Sequence, residues 1–344
     1  MKNKYLILFF GLIGSSTAFS QNTSLNYRVT PWLDNKAAAV SLTFDDWMIS
    51  QVQNAIPILT REKISATFFV TTKDITNWNS LVLACDNGFE IANHTQTHPL
   101  IPALTDEQIK AEVGGARLLI GQNNRNRFPV TFAYPGGGKG EIINSEQNIR
   151  NILKNYCIGA RNVGSSPYPF NLEFWGSQPF TNESYYQVGS QIITDEGPSI
   201  EAFSSILDNA ILKHGWYVTC YHGIGGQWLS TDTTNFKAQL HALESKKSKL
   251  WITTFKEALC YHKERHCQKL EMISEDANTL VVNLSDTLQN NAVYNQPLTI
   301  RMKRPAEDIF DIKQTDRIVP FILEKDSIQF NAVPDGGNIY FNKK

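Results

Sequence analysis

Two acidic residues and two histidines stand just beyond apolar runs of the sequence, and together they could hold a metal ion. Asp45 and Asp46 directly follow the apolar run at residues 37–44. His94 and His98 follow a second, shorter run. One carboxylate and two imidazoles make a three-ligand set with open coordination positions, as in catalytic zinc sites and related divalent sites. The second carboxylate could then act as a base on water.

Taken together and in this order, the two pairs carry a resemblance. An Asp–Asp pair at a strand end is usually a solvated turn or a helix cap, and pairs of His four residues apart are common on protein surfaces. Here residues 43–46 and 94–98 resemble the first two motifs of the polysaccharide deacetylase family, the NodB-homology domain of carbohydrate esterase family 4. The resemblance covers roughly residues 27–265 and not the rest of the chain.

The resemblance implies a role for each of these residues. Asp46, His94 and His98 match the family's metal ligands, and the implied metal is Zn²⁺ ahead of Co²⁺, Ni²⁺ or Mn²⁺. Asp45 matches the family's catalytic base. The implied reaction transfers an acetyl group from an acetylated poly- or oligosaccharide to water, with N-acetyl groups favoured.

Two later motifs add candidate catalytic residues. Residues 134–136 resemble the family's third motif, in which the backbone N–H of the aromatic residue, here Tyr134, helps to hold an oxyanion. The Arg that usually begins this motif is replaced by Ala133, so the group that tunes the base must come from elsewhere. His222 resembles the general acid of the last motif, with Cys220 where the family commonly has Leu. A lone His at a strand end is more often structural, but the other motifs favour the catalytic role.

Two other functions stay open. One is an esterase that removes O-acetyl groups, as from xylan, with the same site. The other is a carbohydrate-binding protein on a catalytically degenerate scaffold, because the Arg is missing and the family's Asp–Trp motif has no clear match; Asp195 and Trp175 lie in the right region with the wrong spacing. Trp47 and Trp228 could stack on sugar rings or could equally belong to the core of loops.

Composition excludes some classes of protein. The chain has 344 residues, of which 42% are hydrophobic and 19% charged, as is ordinary for a globular protein. Its formal charge of −1, without a basic stripe, argues against a nucleic-acid partner. The five cysteines are scattered, which argues against a structural zinc cluster; whether Cys260 and Cys267 pair stays open. The oligomeric state cannot be inferred from the sequence.

The first twenty residues have the pattern of a signal peptide. Lys2 and Lys4 precede an apolar stretch at residues 5–13, and a small-x-small cleavage pattern occupies residues 18–20. We therefore expect an exported protein, periplasmic or secreted, with residues 1–20 removed. No later segment is apolar over a length that spans a bilayer, so no integral membrane segment is expected after cleavage.

The chain beyond the signal peptide divides into two regions by pattern. Strand-like and helical segments alternate up to about residue 265, which predicts an α/β barrel or a doubly wound sheet. Polar residues at strand ends favour the barrel, and the family resemblance implies a distorted (β/α) barrel of about seven strands. We place this deacetylase domain at residues 27–266. Short strand-like runs predict a small all-β accessory domain, a sandwich, at residues 270–344.

Overall fold

The computed structural model describes residues 25–136, 147–163, 182–305 and 308–343. The predicted signal peptide at residues 1–20 lies outside the described residues, as does Trp175. None of the helices in the described ranges combines the length and apolarity needed to cross a bilayer. Two regular parts make up these ranges, a curved parallel sheet with helices and an all-β part.

The first part, called the barrel here, is built from parallel strands connected by helices. A short strand, β1 (Tyr27–Val29), precedes the barrel in the chain and pairs with a strand outside it. The elements of the barrel are β2 (Ala38–Asp45), α1 (Ile56–Glu62), β3 (Ala66–Val70), α2 (Trp78–Asp86), β4 (Glu90–Asn93), α3 (Asp106–Asn123), β5 (Thr131–Ala133), α4 (Gln147–Leu153), β6 (Gly159–Arg161), β7 (Gln191–Ile192), α5 (Ile200–Leu212), β8 (Trp216–Tyr221), α6 (Thr233–Ser245), β9 (Leu250–Ile252) and α7 (Phe255–Cys267).

The strands of the barrel curve into a nearly closed sheet. Their order is β6-β5-β4-β3-β2-β8-β7, with β9 beside the start of β2, and every pair is parallel. An isolated parallel bridge joins Arg161 to Val188, just before β7. The two edges of the sheet thus approach each other, and the predicted distorted barrel is confirmed.

Strand β2 is the centre of this sheet and is buried along its whole length. Its alternate residues Ala38, Val40, Leu42 and Phe44 lie in one hydrophobic core, whereas Ala39 lies in a second core on the other face. Parallel sheets covered on both faces need such continuous apolar strands. The strand ends at the first polar carboxylate of the sequence motif, and so that carboxylate emerges at the carboxyl edge of the sheet.

Local signals set the helix ends. The side chain of Thr105, the residue just before α3, accepts a hydrogen bond from the backbone N–H of Gln108, and the side-chain oxygen of Gln108 accepts one from the backbone N–H of Thr105. This capping box satisfies two N–H groups that the helix itself leaves unpaired. Helix α1 is directly preceded by a π-helical turn at Gln51–Ala55, a feature that is frequent at functional sites.

The second part, called the sandwich here, consists of two antiparallel sheets. Its further strands are β10 (Lys269–Glu275), β11 (Thr279–Ser285), β12 (Leu298–Lys303), β13 (Ile309–Gln314), β14 (Arg317–Ile318), β15 (Phe321–Leu323), β16 (Ser327–Ala332) and β17 (Asn338–Lys343). The sheets have the orders β1-β12-β16-β15 and β10-β11-β17-β13-β14. A third hydrophobic core with residues from both sheets lies between them, and the predicted all-β sandwich is confirmed.

The barrel and the sandwich meet at an apolar junction. Strand β1 precedes the barrel in the chain but pairs with β12 of the sandwich. Leu298 of β12 lies in the same core as Trp32 and Tyr261 of the barrel. The domain bounds stay a prediction, and the strand pairing shows that residues from both ends of the chain build the sandwich. All five cysteines are free, so Cys260 and Cys267 do not pair.

Candidate active site

The three predicted metal ligands come together at the carboxyl edge of the sheet. The Oδ1 atom of Asp46 lies 3.6 Å from Nε2 of His94 and 3.5 Å from Nε2 of His98. One ligand atom from each residue lies within 4.8 Å of the other two. Asp46 follows β2 and His94 follows β4, whereas His98 ends the loop after β4. Parallel strands bring their carboxyl ends to one edge, which is why residues so distant in sequence meet here.

The environment of His94 fixes which ring nitrogen is available. Its Nδ1 atom lies 2.9 Å from the carbonyl oxygen of Ala133, which can only accept, so Nδ1 carries the proton. Nε2 is then left as the unprotonated nitrogen that faces Asp46. Burial lowers the pKa of His94 to about 4, with the charges of His98 and Arg161 adding to the effect. A neutral imidazole with its tautomer fixed in this way is the usual form of a metal-ligating histidine.

Helix α3 holds the loop that carries the two histidines. The Glu112 carboxylate accepts hydrogen bonds at 2.9 Å from the backbone N–H groups of Gln96 and Thr97. The side chain of Thr95 accepts from the backbone N–H of His98 at 3.0 Å. The segment from residue 94 to residue 98 forms an irregular turn and not a helical one. These side-chain contacts replace the backbone hydrogen bonds that a helix would have supplied.

The backbone at the candidate ligands is strained. Asp46 and Trp47 have φ values of 77° and 65°, and Thr95 and His98 have values of 71° and 61°. Left-handed backbone costs a non-glycine residue about 1–2 kcal/mol. Such strain gathers at functional sites, where the surrounding structure holds a side chain in a required direction. Here it turns the side chains of Asp46 and His98 towards the same point as His94.

The two neighbouring carboxylates have opposite electrostatic environments. Burial, the charge of Asp45 and the charge of Asp74 raise the pKa of Asp46 to about 7. Burial would also raise the pKa of Asp45, but the positive charge of Arg161, with His94 and His222, holds it at about 2. Asp45 is therefore ionised at neutral pH, and a cation beside Asp46 would relieve the accumulated negative charge.

Arg161 is the partner of Asp45 and was not identified from the sequence. Its Nη2 atom donates to Oδ1 of Asp45, and its Nη1 atom donates to the Ser190 hydroxyl at 3.0 Å. The guanidinium is completely buried and lies over the ring of Phe69 at 5.0 Å. The other oxygen of Asp45, Oδ2, accepts from the Cys220 thiol at 3.4 Å.

The position of Arg161 explains the missing Arg of the third motif. Arg161 ends β6 and is the register partner of Ala133 at the end of β5. Neighbouring parallel strands in register present their side chains in the same layer of the sheet. The cation thus comes from the adjacent strand. The signal in the sequence is an Arg directly after the apolar run at residues 157–160, but its contact with Asp45 becomes visible only in the fold.

His222 lies beyond the end of β8, on the other side of Asp45. Nitrogen or oxygen atoms of Asp45 and His222 and the sulfur of Cys220 lie within 4.8 Å of one another. Burial lowers the pKa of His222, as do Arg161 and His98, whereas Asp45 acts in the opposite direction. Its Nδ1 atom has no hydrogen-bond partner in the described part of the chain.

Asp195, which lies in the region where the family's Asp–Trp motif would be expected, has hydrogen-bond partners other than His222. The Asp195 carboxylate accepts from the Asp232 backbone N–H at 2.7 Å and from the Asn235 side chain at 2.9 Å, so it supports the start of α6. Gln51, in the π-helical turn, donates to the carbonyl oxygens of Asp45 and His222 and ties the ends of β2 and β8 together.

The aromatic candidates divide between core and surface. The Tyr134 backbone N–H donates to the carbonyl oxygen of Arg161, and its hydroxyl donates to the carbonyl oxygen of Tyr186, each at 3.0 Å. Both donors have protein acceptors, so this geometry does not favour the oxyanion role predicted for Tyr134. Trp47 is buried in the core, whereas Trp228 is 60% exposed, with its ring centroid 4.8 Å from that of His222.

A groove runs past the candidate ligands and could admit a substrate. It has a volume of about 730 Å³, and its lining includes Asp46, His98, Trp228, Ile49 and Lys73. Lys73 is held by a hydrogen bond to the carbonyl oxygen of Thr97 at 2.9 Å. The groove joins the carboxylate and imidazole cluster to an exposed aromatic ring.

The donor set fits a divalent cation. It combines one carboxylate oxygen with the unprotonated nitrogen of a neutral imidazole and a second imidazole that is 33% exposed on its side chain. Two His and one carboxylate are ligands of zinc and of other first-row divalent metals. Burial and the charges of Asp45 and Asp74 raise the pKa of Asp46, and a divalent cation bound beside it would lower that pKa.

Comparison with known proteins agrees with the motifs. Residues 33–156 match the family model for polysaccharide deacetylase. A gellan lyase from Bacillus sp is 24% identical over 340 residues, which are 90% of this chain and 13% of that protein. Chitin deacetylase 1 from Cryptococcus neoformans var. grubii is 24% identical over 220 residues, which are 62% of this chain and 45% of that protein. The chain thus spans less than half the length of these curated relatives.

Among solved structures, a family 4 carbohydrate esterase from Streptomyces lividans in complex with acetate is similar to this chain. The TM-score is 0.43 and the identity 18%, over 62% of this chain and 91% of the other. Fold and site together define a (β/α)-barrel protein with a candidate divalent-metal site at the carboxyl edge of its strands. The match of residues 33–156 to the polysaccharide deacetylase family model confirms the resemblance inferred from the motifs.

Proposed function

We propose that the protein is a divalent-metal-dependent hydrolase that removes acetyl groups from an acetylated poly- or oligosaccharide, with N-acetyl groups favoured. The observation that carries the proposal is the meeting of Asp46, His94 and His98 within 4.8 Å, next to a second group formed by Asp45, Cys220 and His222. A ligand set and a pair of proton-transferring groups side by side are the parts that acyl transfer to water requires.

Each residue contributes one property to the reaction. Asp46, His94 and His98 would hold the metal, with Zn²⁺ the first choice. A metal bound there would polarise the acetyl carbonyl and lower the pKa of water. Asp45 stays ionised at neutral pH, so it can accept a proton from the attacking water. His222 would give a proton to the departing amine or alcohol.

Arg161 would act by keeping Asp45 charged and in place. It supplies the positive charge that outweighs the burial of Asp45, and the Ser190 hydroxyl holds its other nitrogen. The carboxylate oxygen that bonds to Arg161 cannot rotate away without leaving a buried guanidinium unpaired. Arg161 is thus a positioning residue, and its presence argues against a degenerate site.

The acetylated sugar would lie in the groove beside Trp228. The exposed ring of Trp228 offers an apolar face on which a pyranose could stack. His222, which neighbours Trp228, would then be near the acetylated position of the sugar. An amine is a poor leaving group that needs a proton, so a histidine at this place suits an N-acetyl substrate. O-acetyl esters are the second candidate, because the same site can act on them.

Acetate release from matched glycans tests the proposal. The purified protein, loaded with Zn²⁺, is incubated with N-acetylated chito-oligosaccharides and with O-acetylated xylo-oligosaccharides, and acetate is measured over time. We expect release from the N-acetylated set, abolished by Asp45→Asn. Release from the O-acetylated set alone would support the esterase instead. Binding of either glycan without any acetate release would support the degenerate binding protein.

We also propose that the protein is exported, because residues 1–20 have the pattern of a signal peptide. The measurement is the mature N-terminus of protein expressed in a bacterial host and recovered from the periplasm or the medium. We expect it near Gln21. Recovery of the chain from the cytoplasm with residues 1–20 intact would contradict export.

A further inference from the structure

A basic cleft lies at one end of the sandwich, where β1 begins and β12 ends. Its volume is about 710 Å³. The cations that line it are Arg28, Arg301, Lys303, Arg304 and Lys325. Asp326 is the acidic residue in the lining. The whole chain has a formal charge of −1, so five cations around one cleft stand apart from the average composition.

The register of the strands places part of this charge in one row. Arg28 of β1 is directly opposite Arg301 of β12. Lys303 is two residues further along β12 and therefore points to the same side of the sheet. The intervening Met302 and its neighbour Ile300 lie in the core of the sandwich, so the cations face outwards. Like charges directly opposite each other destabilise a sheet, and packing alone does not account for the row.

Three of the five cations are available to a ligand. Arg301 pairs with Glu324, and Arg304 pairs with Asp308. Arg28, Lys303 and Lys325 are exposed and have no ion-pair partner within the ranges that the structure describes. Asp326 offsets one of these three charges, which leaves a net positive cleft.

We propose that this basic cleft binds a stretch of an acidic polysaccharide through the carboxylates of its sugars. The proposal rests on the proposed function, since it takes the ligand of the sandwich to be of the same chemical class as the substrate of the barrel. The free cations would contact the carboxylates, and the Asn26 amide and the Ser327 hydroxyl in the same lining would contact sugar hydroxyls. The sandwich would hold the polymer whose acetyl groups the barrel removes.

Two other polyanions fit the cleft less well. Single-stranded nucleic acid binds by stacking its bases on aromatic side chains as well as by charge. The aromatic residue in the lining is Tyr27, whose hydroxyl is bonded to the Gln268 side chain at 3.2 Å and to the Leu270 backbone N–H at 2.9 Å. Tyr27 is therefore committed to the junction. An anionic membrane presents a broad surface, whereas these cations line a concavity.

The test measures binding of polygalacturonate, an unacetylated acidic polysaccharide, to the full-length protein by calorimetry. The cleft variant combines Arg28→Gln, Lys303→Gln and Lys325→Gln. The control variant combines Lys269→Gln, Lys313→Gln and Arg317→Gln, which remove the same charge from the other sheet of the sandwich. We expect the cleft variant to bind roughly 3- to 100-fold more weakly, the effect of three exposed charge pairs, and the control to bind like the parent.

Several outcomes would overturn the proposal. They are failure of the parent to bind polygalacturonate, equal weakening by both variants, and tighter binding of single-stranded DNA or of phosphatidylserine vesicles than of polygalacturonate. Neutral dextran should bind more weakly than polygalacturonate to the parent. This measurement involves no acetate release. The cleft proposal can therefore fail, without polygalacturonate binding, while acetate release is intact. Conversely, the proposed function can fail, without acetate release, while the cleft still binds polygalacturonate.

Discussion

The carboxyl edge of the barrel and the junction between barrel and sandwich each bury a carboxylate, with opposite electrostatic results. Asp45 at the edge is 1% exposed, and Glu264 at the junction is completely buried. Burial alone raises the pKa of both. At the edge, the positive charge of Arg161 outweighs the effect of burial, and the pKa of Asp45 falls to about 2. At the junction, burial raises the pKa of Glu264 to about 8, and the charges of Asp286 and Asp335 add to the effect.

The pKa values of the two acids differ because different groups are buried next to each of them. Glu264 accepts hydrogen bonds from the backbone N–H of Gln296, and it has no ion pair in the part of the chain that the structure describes. It is suited to being protonated and to joining two parts of the protein. Asp45 is kept ionised by a buried guanidinium, an arrangement that favours chemistry more than stability. The two acids therefore differ in their protonation because they differ in their partners.

The largest expected effect comes from removing the partner of Asp45. Arg161→Met leaves a buried, uncompensated carboxylate, and breaking such a pair costs about 3–5 kcal/mol of the free energy of unfolding. The pKa of Asp45 should then rise, as that of Glu264 does, and acetate release should fall. The measurements are denaturant unfolding and the rate of acetate release.

A second variant separates the charge from the packing of Arg161. Adding Asp45→Asn to Arg161→Met removes the uncompensated charge, so most of the lost stability should return, without activity. As a matched control, Arg61→Met removes an exposed Arg that pairs with Glu62 and should cost less than about 1 kcal/mol. A double variant as unstable as Arg161→Met would mean that Arg161 stabilises the protein by packing alone.

Removing His222, the candidate general acid at the carboxyl edge of the barrel, should lower activity without changing metal binding. His222→Ala should slow hydrolysis of an N-acetyl substrate by roughly 10²–10⁴-fold, the usual contribution of a positioned acid or base. An activated aryl acetate, whose leaving group needs no proton, should be affected far less. His241→Ala, an exposed histidine on α6, should change neither rate. Equal losses for both substrates in His222→Ala would show that His222 only packs the strand end.

The smallest effect should come from the junction. Because folded Glu264 keeps its proton up to a pH of about 8 while the unfolded chain releases it near 4.5, stability should fall as the pH rises through that interval. Glu264→Gln removes this contribution and should gain stability relative to the parent between pH 5 and pH 8, measured by urea unfolding. Glu271→Gln, at an exposed residue, should show no such gain. A difference between parent and Glu264→Gln that does not depend on pH would contradict the assignment.

The sequence allowed prediction of those site residues that belong to short motifs beyond strands. Asp45, Asp46, His94, His98 and His222 each follow an apolar run, and parallel strands bring such positions to one edge of the sheet. Arg161 follows an apolar run too, but its partner is a residue of a distant strand and its neighbour Ala133 is adjacent only through strand register. No local spacing indicates that contact.

The fold was predictable where the periodicity is regular and not where it is interrupted. Strands β10 and β13 each contain a register shift, at 272–274 and at 309–311, which breaks the alternation of inward and outward residues and so weakens the strand signal in the sequence. The pairing of β1 with β12 was missed, because a three-residue strand gives no signal of a partner so far along the chain.

The most direct test of the proposed function measures zinc content and acetate release on the same preparations of three proteins. The parent should hold one zinc ion per chain and release acetate. His98→Ala should bind zinc at least about 10- to 100-fold more weakly, the loss already typical of a residue that only supports a ligand, and lose activity with it. Asp45→Asn should retain the zinc and lose roughly 10²–10⁴-fold in rate. Parental zinc content in His98→Ala, or a parental rate in Asp45→Asn, would contradict the proposed division between ligands and base.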